Sequence, residues 1–144
     1  MKIYSFIACL LVSGCATQYQ SGKFSPFGGY SDSSVNEKLQ KVVFSGNGYT
    51  DVDTAVKYAR FHCAEIAEKN KKSYFLMYAS LKHAAFEKST LQPNSGSVGG
   101  KPAAFAYLLL SDSDVAGAIK TNDVISELKE FKTKSHEKSS GNQK

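Results

Sequence analysis

The sequence predicts an α+β fold, with an antiparallel-dominated sheet of three or four strands, one long helix across a face of that sheet and a short C-terminal helix. An amphipathic helical pattern over residues 51–70 stands between segments that are rich in β-forming residues. Strands, a helix, a hairpin and a second helix then follow one another, which is typical of a sheet covered by helices.

The first predicted strands lie on either side of a turn. Residues 29–31 open a short strand, and residues 36–38 turn the chain into a second strand over 39–45, which carries the β-forming run Val42-Val43-Phe44. We expect this strand to stop at Gly46-Asn47-Gly48, because glycine and asparagine favour tight turns.

The long helix is predicted over 51–70. Thr50 and Asp53 have the spacing of a capping box, and Asp51 and Asp53 suit the positive end of the helix dipole. Asn70 is expected to help end the helix. Its apolar stripe contains Val52, Ala55, Val56, Ala59, Cys63, Ile66 and Ala67.

The second half of the chain predicts a hairpin followed by a short helix. Residues 73–82 and 103–110 are aromatic or β-rich and predict two strands, joined by a glycine-rich connector at 92–102 with a mobile tip. A helix is predicted over 122–132, and the lysine-rich tail at 133–144 is expected to be disordered. The apolar face of this helix contains Val124, Ile125, Leu128 and Phe131.

The N-terminal segment has the three-part layout of a secretory signal. Lys2 is followed by a mainly apolar run at 3–12 and then by Ser13-Gly14-Cys15. The run is shorter than the roughly 20 residues that span a bilayer. Residues 1–14 are therefore predicted to be a signal peptide, and the remaining chain, of about 130 residues, has the size of one domain at 29–132.

The end of this segment, Leu11-Val12-Ser13-Gly14-Cys15, resembles the bacterial lipobox. The resemblance implies that a diacylglycerol joins the Cys15 thiol, that the chain is cut between Gly14 and Cys15, and that the new amine is acylated, for example with palmitate. Ala16 follows in place of the aspartate that retains many lipoproteins at the inner membrane. The expected location is therefore the outer membrane, lipid-anchored and facing the periplasm, with residues 15–28 as a flexible tether.

The net charge and the predicted export narrow the classes of partner that we expect. The 18 Lys and Arg residues against 13 Asp and Glu residues give a mild net charge of +5. Nucleic acid is not an expected partner of an exported protein, whereas the membrane and an envelope protein are.

Of the three cysteines, Cys9 leaves with the signal and Cys15 takes the lipid, so Cys63 has no disulfide partner and is expected to be buried.

Several segments of the chain, above all Gly46-Asn47-Gly48-Tyr49-Thr50, resemble a family of small proteobacterial envelope lipoproteins of unknown function. The most specific segment is Gly46-Asn47-Gly48-Tyr49-Thr50, whereas residues 83–101, the lysine-rich tail and Cys63 do not follow the pattern. The resemblance implies outer-membrane attachment and a small α+β domain, and it supplies no catalytic residues. The other matching segments are 15–20, 29–31, Phe44-Ser45, Tyr58-Ala59 with Ala64-Glu65, and Tyr74-Phe75.

The turn and the long helix offer two candidate sites. Free amides at Gly46-Asn47-Gly48 suit an anion, but Asp51 and Asp53 repel one, so a tight turn is favoured. His62 and Cys63 point about 100° apart on a helix and cannot share a proton directly. Tyr58, His62 and Glu65 share the face opposite the apolar stripe, which is expected to be solvated.

The sequence of residues 112–123 resembles the calcium-binding loop of an EF-hand. Asp112, Asp114 and Asp123 stand at loop positions one, three and twelve, and Gly117 at position six. Ala116 replaces a ligand, however, and a strand precedes the loop, so turn formation with Asn122 or Asp123 as a helix cap is favoured. No metal site is predicted, because His62, His83 and His136 are dispersed, and no cofactor is predicted.

These patterns favour a non-enzymatic lipoprotein, a binding or structural module, over two alternatives. The first alternative is a small envelope hydrolase acting on peptidoglycan or lipid, with its cleft near His62, Glu65 or the turn at 46–53. The second is a calcium-responsive envelope module. A partner surface is expected on the sheet face that the long helix leaves open, among Tyr74, Tyr78, Phe105 and Tyr107.

Overall fold

The described residues fold as a seven-stranded sheet with the two long helices on one face and a five-residue helix against part of the other. A computed structural model describes residues 18–22 and 28–140, without the side chains of 135–140. The elements in chain order are β1 (Gly29–Ser34), β2 (Leu39–Ser45), α1 (Val52–Lys69), β3 (Tyr74–Tyr78), α2 (Leu81–Ala85), β4 (Ser89–Thr90), β5 (Asn94–Val98), β6 (Lys101–Ser111), β7 (Ile119–Lys120) and α3 (Thr121–Ser140).

All seven strands pair antiparallel, which confirms the α+β class and the antiparallel sheet, with more strands than the three or four predicted. The long β6 is central. β2 lies along one side of it, with Phe44 opposite Ala104, and the other side is shared by β5 and β3, with Met77 opposite Leu108. β1 forms one edge beyond β2, while β4 and β7 each add two residues outside β3.

The main core lies between the sheet and α1. Alternate residues of β2, β6 and β3 point towards this helix, and small residues on both sides let the helix approach the sheet closely. α3 then packs on α1 through Val124, Ile125 and Leu128. The buried residues at the interface of sheet and helix include Val42, Phe44, Phe75, Met77, Ala104, Ala106 and Leu108 with Ala55, Ala59, Cys63 and Ala67.

The long helix is confirmed within one residue at each end, but its cap differs from the prediction. The side chain of Asp51, rather than that of Thr50, accepts a hydrogen bond from the Thr54 amide at 2.7 Å. The Thr50 hydroxyl instead hydrogen-bonds the Asn47 side chain inside the preceding turn. Val52 was predicted in the apolar stripe and is exposed, because it lies in the first turn, before the helix reaches the sheet. Asn70 ends the helix as predicted.

The predicted hairpin is correct in its pairing and wrong in its connection. The strand predicted over 73–82 ends at Tyr78, and α2 follows, because Ser80 accepts the His83 amide as an N-cap. The connector predicted over 92–102 with a mobile tip contains β5, and β4 lies just before it. Gly99 and Gly100 have φ angles of 59° and 75°, which form the two-residue turn that folds β5 onto β6.

The C-terminal helix is longer than predicted. It starts at Thr121, whose hydroxyl donates to the Lys72 carbonyl at 2.8 Å, so Asn122 and Asp123 lie inside its first turn and do not cap it. The helix continues through the first part of the tail that was predicted to be disordered, because lysine and glutamate favour extension of a helix that is already nucleated. Among the described residues, no helix is long and apolar enough to cross a membrane.

Candidate functional site: the N-terminal strap and the Tyr19 cluster

Residues 18–22, here called the strap, lie along the outer edge of β1. The Tyr30 amide donates to the Gln20 carbonyl at 2.8 Å, and the Gly22 amide donates to the Tyr30 carbonyl at 2.7 Å. The strap thus adds a short parallel partner to an edge strand, which otherwise presents unpaired backbone groups. The prediction of a flexible tether over 15–28 is therefore wrong for the strap, which is fixed to the domain.

The Tyr19 ring anchors the strap among aromatic rings of β1 and α1. Its centroid lies 5.0 Å from that of Tyr30, 5.2 Å from Tyr58 and 6.1 Å from Phe61. Phe131 of α3 packs edge-on against Tyr58 at 5.5 Å. Such tilted and edge-to-face pairs are favourable beyond their burial. The Tyr19 cluster, as we call it, consists of Tyr19, Tyr30, Tyr58, Phe61, His62, Glu65, Phe131 and Lys132.

The Tyr19 hydroxyl lies at the ion pair formed by Glu65 and Lys132. It donates to Glu65 Oε2, while Lys132 Nζ lies 3.4 Å from Glu65 Oε1 and 5.3 Å from the centre of the Tyr19 ring. Burial, together with the hydrogen bond to Glu65, raises the pKa of Tyr19. The hydroxyl therefore stays protonated and donates, and the Glu65 carboxylate holds the strap through the Tyr19 side chain.

His62 stands between two carboxylates. Asp32 Oδ1 lies 3.0 Å from its Nε2, and Glu65 Oε2 lies 3.6 Å from its Nδ1, which is buried and has no hydrogen-bond partner in the described part of the chain. Tyr30 stacks on the imidazole with centroids 4.0 Å apart. Tyr58 and His62 are therefore buried, contrary to the prediction of a solvated face, because the strap and β1 cover this side of α1.

The Glu65 carboxylate is expected to make stability depend on acid pH. Burial alone raises its pKa, but the His62 imidazole, the Tyr19 hydroxyl and Lys132 outweigh burial and hold the pKa below its ordinary value. A lowered folded-state pKa stabilises the fold above the ordinary pKa, and this contribution is lost as the pH falls through the folded value. We expect the urea midpoint to fall on acidification, and to fall less in Glu65→Gln.

Glu68 provides the matched control for this measurement, because it is exposed on the same helix. Glu68→Gln should leave the pH profile of the urea midpoint as in the wild type. Equal profiles for Glu65→Gln and Glu68→Gln would show that the cluster does not hold Glu65 in its charged form.

A cleft of about 430 Å³ opens beside the cluster, with Asp32, His62, Glu65 and Lys69 among its lining residues. The imidazole and the carboxylates can bind a polar or cationic group and can hold a proton. Among the described residues that line the cleft, none carries a hydroxyl or thiol nucleophile. Cys63 is fully buried as predicted, and burial raises the pKa of its thiol.

The turn at 46–50 agrees with the structural interpretation that was favoured over an anion site. The Gly46 amide donates to the Pro102 carbonyl at 2.8 Å and the Asn47 amide donates to the Thr50 hydroxyl at 3.1 Å, so groups of the protein occupy these two donors. A Cβ on Gly46 would come within 2.5 Å of Thr50 Cβ, which explains the glycine. Tyr49 beside the turn is exposed.

The arrangement of the acidic residues in 112–123 gives no support to the calcium hypothesis. Asp112 forms an ion pair with Lys72 at 2.7 Å, and Asp123 lies in the first turn of α3. A strand, β6, precedes the segment where an EF-hand needs a helix. Within the described part of the chain, no three His, Cys, Asp or Glu side chains are grouped as a metal site. His83 contacts Ser80, and the His136 side chain lies outside the description.

The aromatic residues predicted to form a partner surface differ in exposure. Tyr78 is 3% exposed and packs with Leu39 and Leu76 on the sheet face away from α1, where α2 adds Ala84, so Tyr78 belongs to a second small core. Tyr74, Phe105 and Tyr107 are half-buried. Lys41 Nζ lies 5.7 Å from the Phe105 ring centre and 5.9 Å from that of Tyr107.

Gly14 and Cys15 lie outside the described residues. No family model, no curated protein and no solved structure matches this chain.

Sequence patterns identified His62 and Glu65 but missed Tyr19 and Asp32, which complete their surroundings. The available signal for Tyr19 is that it is an aromatic residue within a polar segment, between Gln18 and Gln20.

Proposed function

We propose that the protein is a lipid-anchored lipoprotein of the cell envelope, attached through Cys15 to the outer membrane and facing the periplasm. The observation that carries the proposal is the lipobox-like run Leu11-Val12-Ser13-Gly14-Cys15 behind a short apolar segment. One acyl chain gives marginal membrane binding, whereas the two or three that this resemblance implies make a stable anchor.

Its role is that of a binding or structural module with no chemistry of its own. The best-defined polar site supports this role, because Nε2 of His62 faces Asp32, its other nitrogen faces Glu65, and its side chain is only 10% exposed. A general base needs a reachable nitrogen beside the proton that it takes. Phe105, Tyr107 and Lys41 on the open sheet face offer aromatic surface and charge to an envelope protein.

Replacement of Cys15 by serine tests the anchor. We expect the wild-type chain, expressed in a Gram-negative host, to sediment with membranes and to carry added lipid mass on Cys15. Cys15→Ser should carry no lipid mass and should leave the membrane fraction. The serine hydroxyl cannot replace the thiolate that accepts the diacylglycerol.

Cys9→Ser is the matched control, since Cys9 lies in the same N-terminal segment but outside the lipobox-like run. This variant should carry the lipid and remain with the membrane. Equal membrane retention of Cys15→Ser and the wild type, with no added lipid mass on the wild type, would refute the proposal.

A second candidate function, a small hydrolase acting on peptidoglycan or lipid, is favoured by one observation. The cleft beside the Tyr19 cluster brings the His62 imidazole within 3.0 Å of Asp32, an arrangement that orients a catalytic histidine in many hydrolases. If this function is correct, purified wild-type protein should release soluble fragments from peptidoglycan or lipid vesicles and His62→Gln should not. No release by the wild type would exclude it for these substrates.

A further inference from the structure

The strap limits how the folded domain can sit on a bilayer. We propose that the docked strap holds one side of the domain, here called the strap face, against the phospholipid headgroups. The strap face consists of the strap and the neighbouring flanks of α1 and α3, which carry Lys69, Lys129 and Lys132. This inference rests on the proposed lipid at Cys15.

Chain length carries the first step. Tyr19, whose ring is held among its aromatic neighbours, is the fourth residue after Cys15, and four extended residues reach about 14 Å. A tether free up to Gly29 would reach about 50 Å over its fourteen residues. A domain of this size has a radius of gyration of about 13 Å, so it is roughly 35 Å across. The docked strap is too short for the opposite side of the domain to face the membrane, whereas a free tether would allow every orientation.

The contacts of Tyr19 fix which side is close to the lipid. Its ring lies between β1 and α1 and beneath Lys132 of α3, and its hydroxyl is held by Glu65. Lys129 lies one helical turn before Lys132, on the same flank of α3. Lys69 lies one turn after Glu65 and lines the same cleft.

Charge is the second argument for a phospholipid surface. Lys69, Lys129 and Lys132 are exposed, and their ammonium groups suit the phosphates of anionic headgroups. Both carboxylates among the described residues that line the cleft at this face have a partner, since Glu65 lies 3.4 Å from Lys132 and Asp32 lies 3.0 Å from His62. The opposite side of the sheet, with Phe105 and Tyr107, then points into the periplasm, where a protein partner can reach it.

Quenching of a fluorophore by lipid headgroups tests the orientation. The lipidated full chain is placed in vesicles of phosphatidylethanolamine and phosphatidylglycerol that contain nitroxide-labelled headgroups. One cysteine is introduced, either as Lys129→Cys on the strap face or as Lys82→Cys on α2, on the other side of the sheet. The lipid occupies the Cys15 thiol, and Cys63 is fully buried, so the introduced cysteine takes the label.

We expect quenching at position 129 to be at least about twofold greater than at position 82. The reach of the docked strap allows only position 129 to lie close to the headgroups. Tyr19→Ala should bring the two values together. Tyr49→Ala, which removes a tyrosine that is 67% exposed and does not belong to the Tyr19 cluster, should preserve the difference. Circular dichroism checks that each variant is folded.

The controls separate this inference from the lipoprotein proposal. Lipid mass on Cys15 together with equal quenching at positions 129 and 82 would overturn the orientation and leave the lipid anchor intact. An absence of lipid mass on Cys15 would overturn both. Unequal quenching that survives in folded Tyr19→Ala would show that the strap does not set the orientation.

Discussion

Phe44→Ala is expected to lower the free energy of unfolding by about 3 to 5 kcal/mol. Phe44 is fully buried on β2 and packs edge-on against Tyr58, with ring centroids 5.0 Å apart. It lies opposite Ala104 of β6 in the sheet. Because its alanine neighbours on α1 and β6 are too short to fill the space of a lost ring, most of the cavity should remain.

This loss is a large part of the roughly 5 to 15 kcal/mol that stabilises a typical domain. The sequence has no tryptophan, so urea unfolding is best followed by circular dichroism. Phe86→Ala is the matched control, because the Phe86 side chain is 66% exposed, and it should change stability by about 0.5 kcal/mol or less. Equal losses for both variants would contradict the core described above.

Periodicity was sufficient to predict α1, β2 and β6, since each carries a repeat of apolar residues that its own sequence displays. It could not predict β4, β5 and β7. Two of these strands are two residues long, and β5, Asn94-Ser95-Gly96-Ser97-Val98, has almost no apolar pattern. These strands exist because β3 and β6 offer backbone hydrogen-bonding partners, and that information lies in the fold rather than in the segment.

The site shows the same division between local pattern and tertiary structure. Helical spacing correctly placed Tyr58, His62 and Glu65 on one face of α1. It could not show what covers that face, because the cover comes from Tyr30 on β1 and from Tyr19, which is 46 residues before Glu65 in the chain. Spacing within one helix therefore identifies neighbours but not burial, and burial decided the interpretation of His62.

Gly29→Ala is expected to detach the strap and to destabilise the domain by about 1 to 3 kcal/mol, the cost of a strained backbone position. Gly29 has a φ of 138°, a backbone angle that residues with a side chain rarely adopt. A Cβ there would lie 2.3 Å from the Gln20 carbonyl oxygen and 2.7 Å from the Gly22 nitrogen. Both are backbone atoms of the strap and cannot rotate away, so the strap itself has to move.

Hydrogen exchange at two amides measures the detachment. In the wild type the Tyr30 amide donates to Gln20 and the Gly22 amide donates to Tyr30, so both should be protected. Both should exchange much faster in Gly29→Ala, while amides in β6 keep most of their protection. Gly48→Ala is the matched control, because a Cβ at Gly48 meets nothing within 4 Å. Continued protection of the Tyr30 amide in Gly29→Ala would show that the strap tolerates the change.

The same substitution links strap docking to the position of the domain on the membrane. Release of the strap moves the first fixed residue from Tyr19 to the start of β1 and so extends the reach of the anchored chain from about 14 Å to about 50 Å. Neither glycine nor alanine carries a charge, so this replacement leaves the charges of the strap face unchanged. If Gly29→Ala abolishes the difference in quenching between positions 129 and 82, the short reach sets the orientation. If the difference persists with the strap detached, attraction of the lysines to the headgroups is sufficient without it.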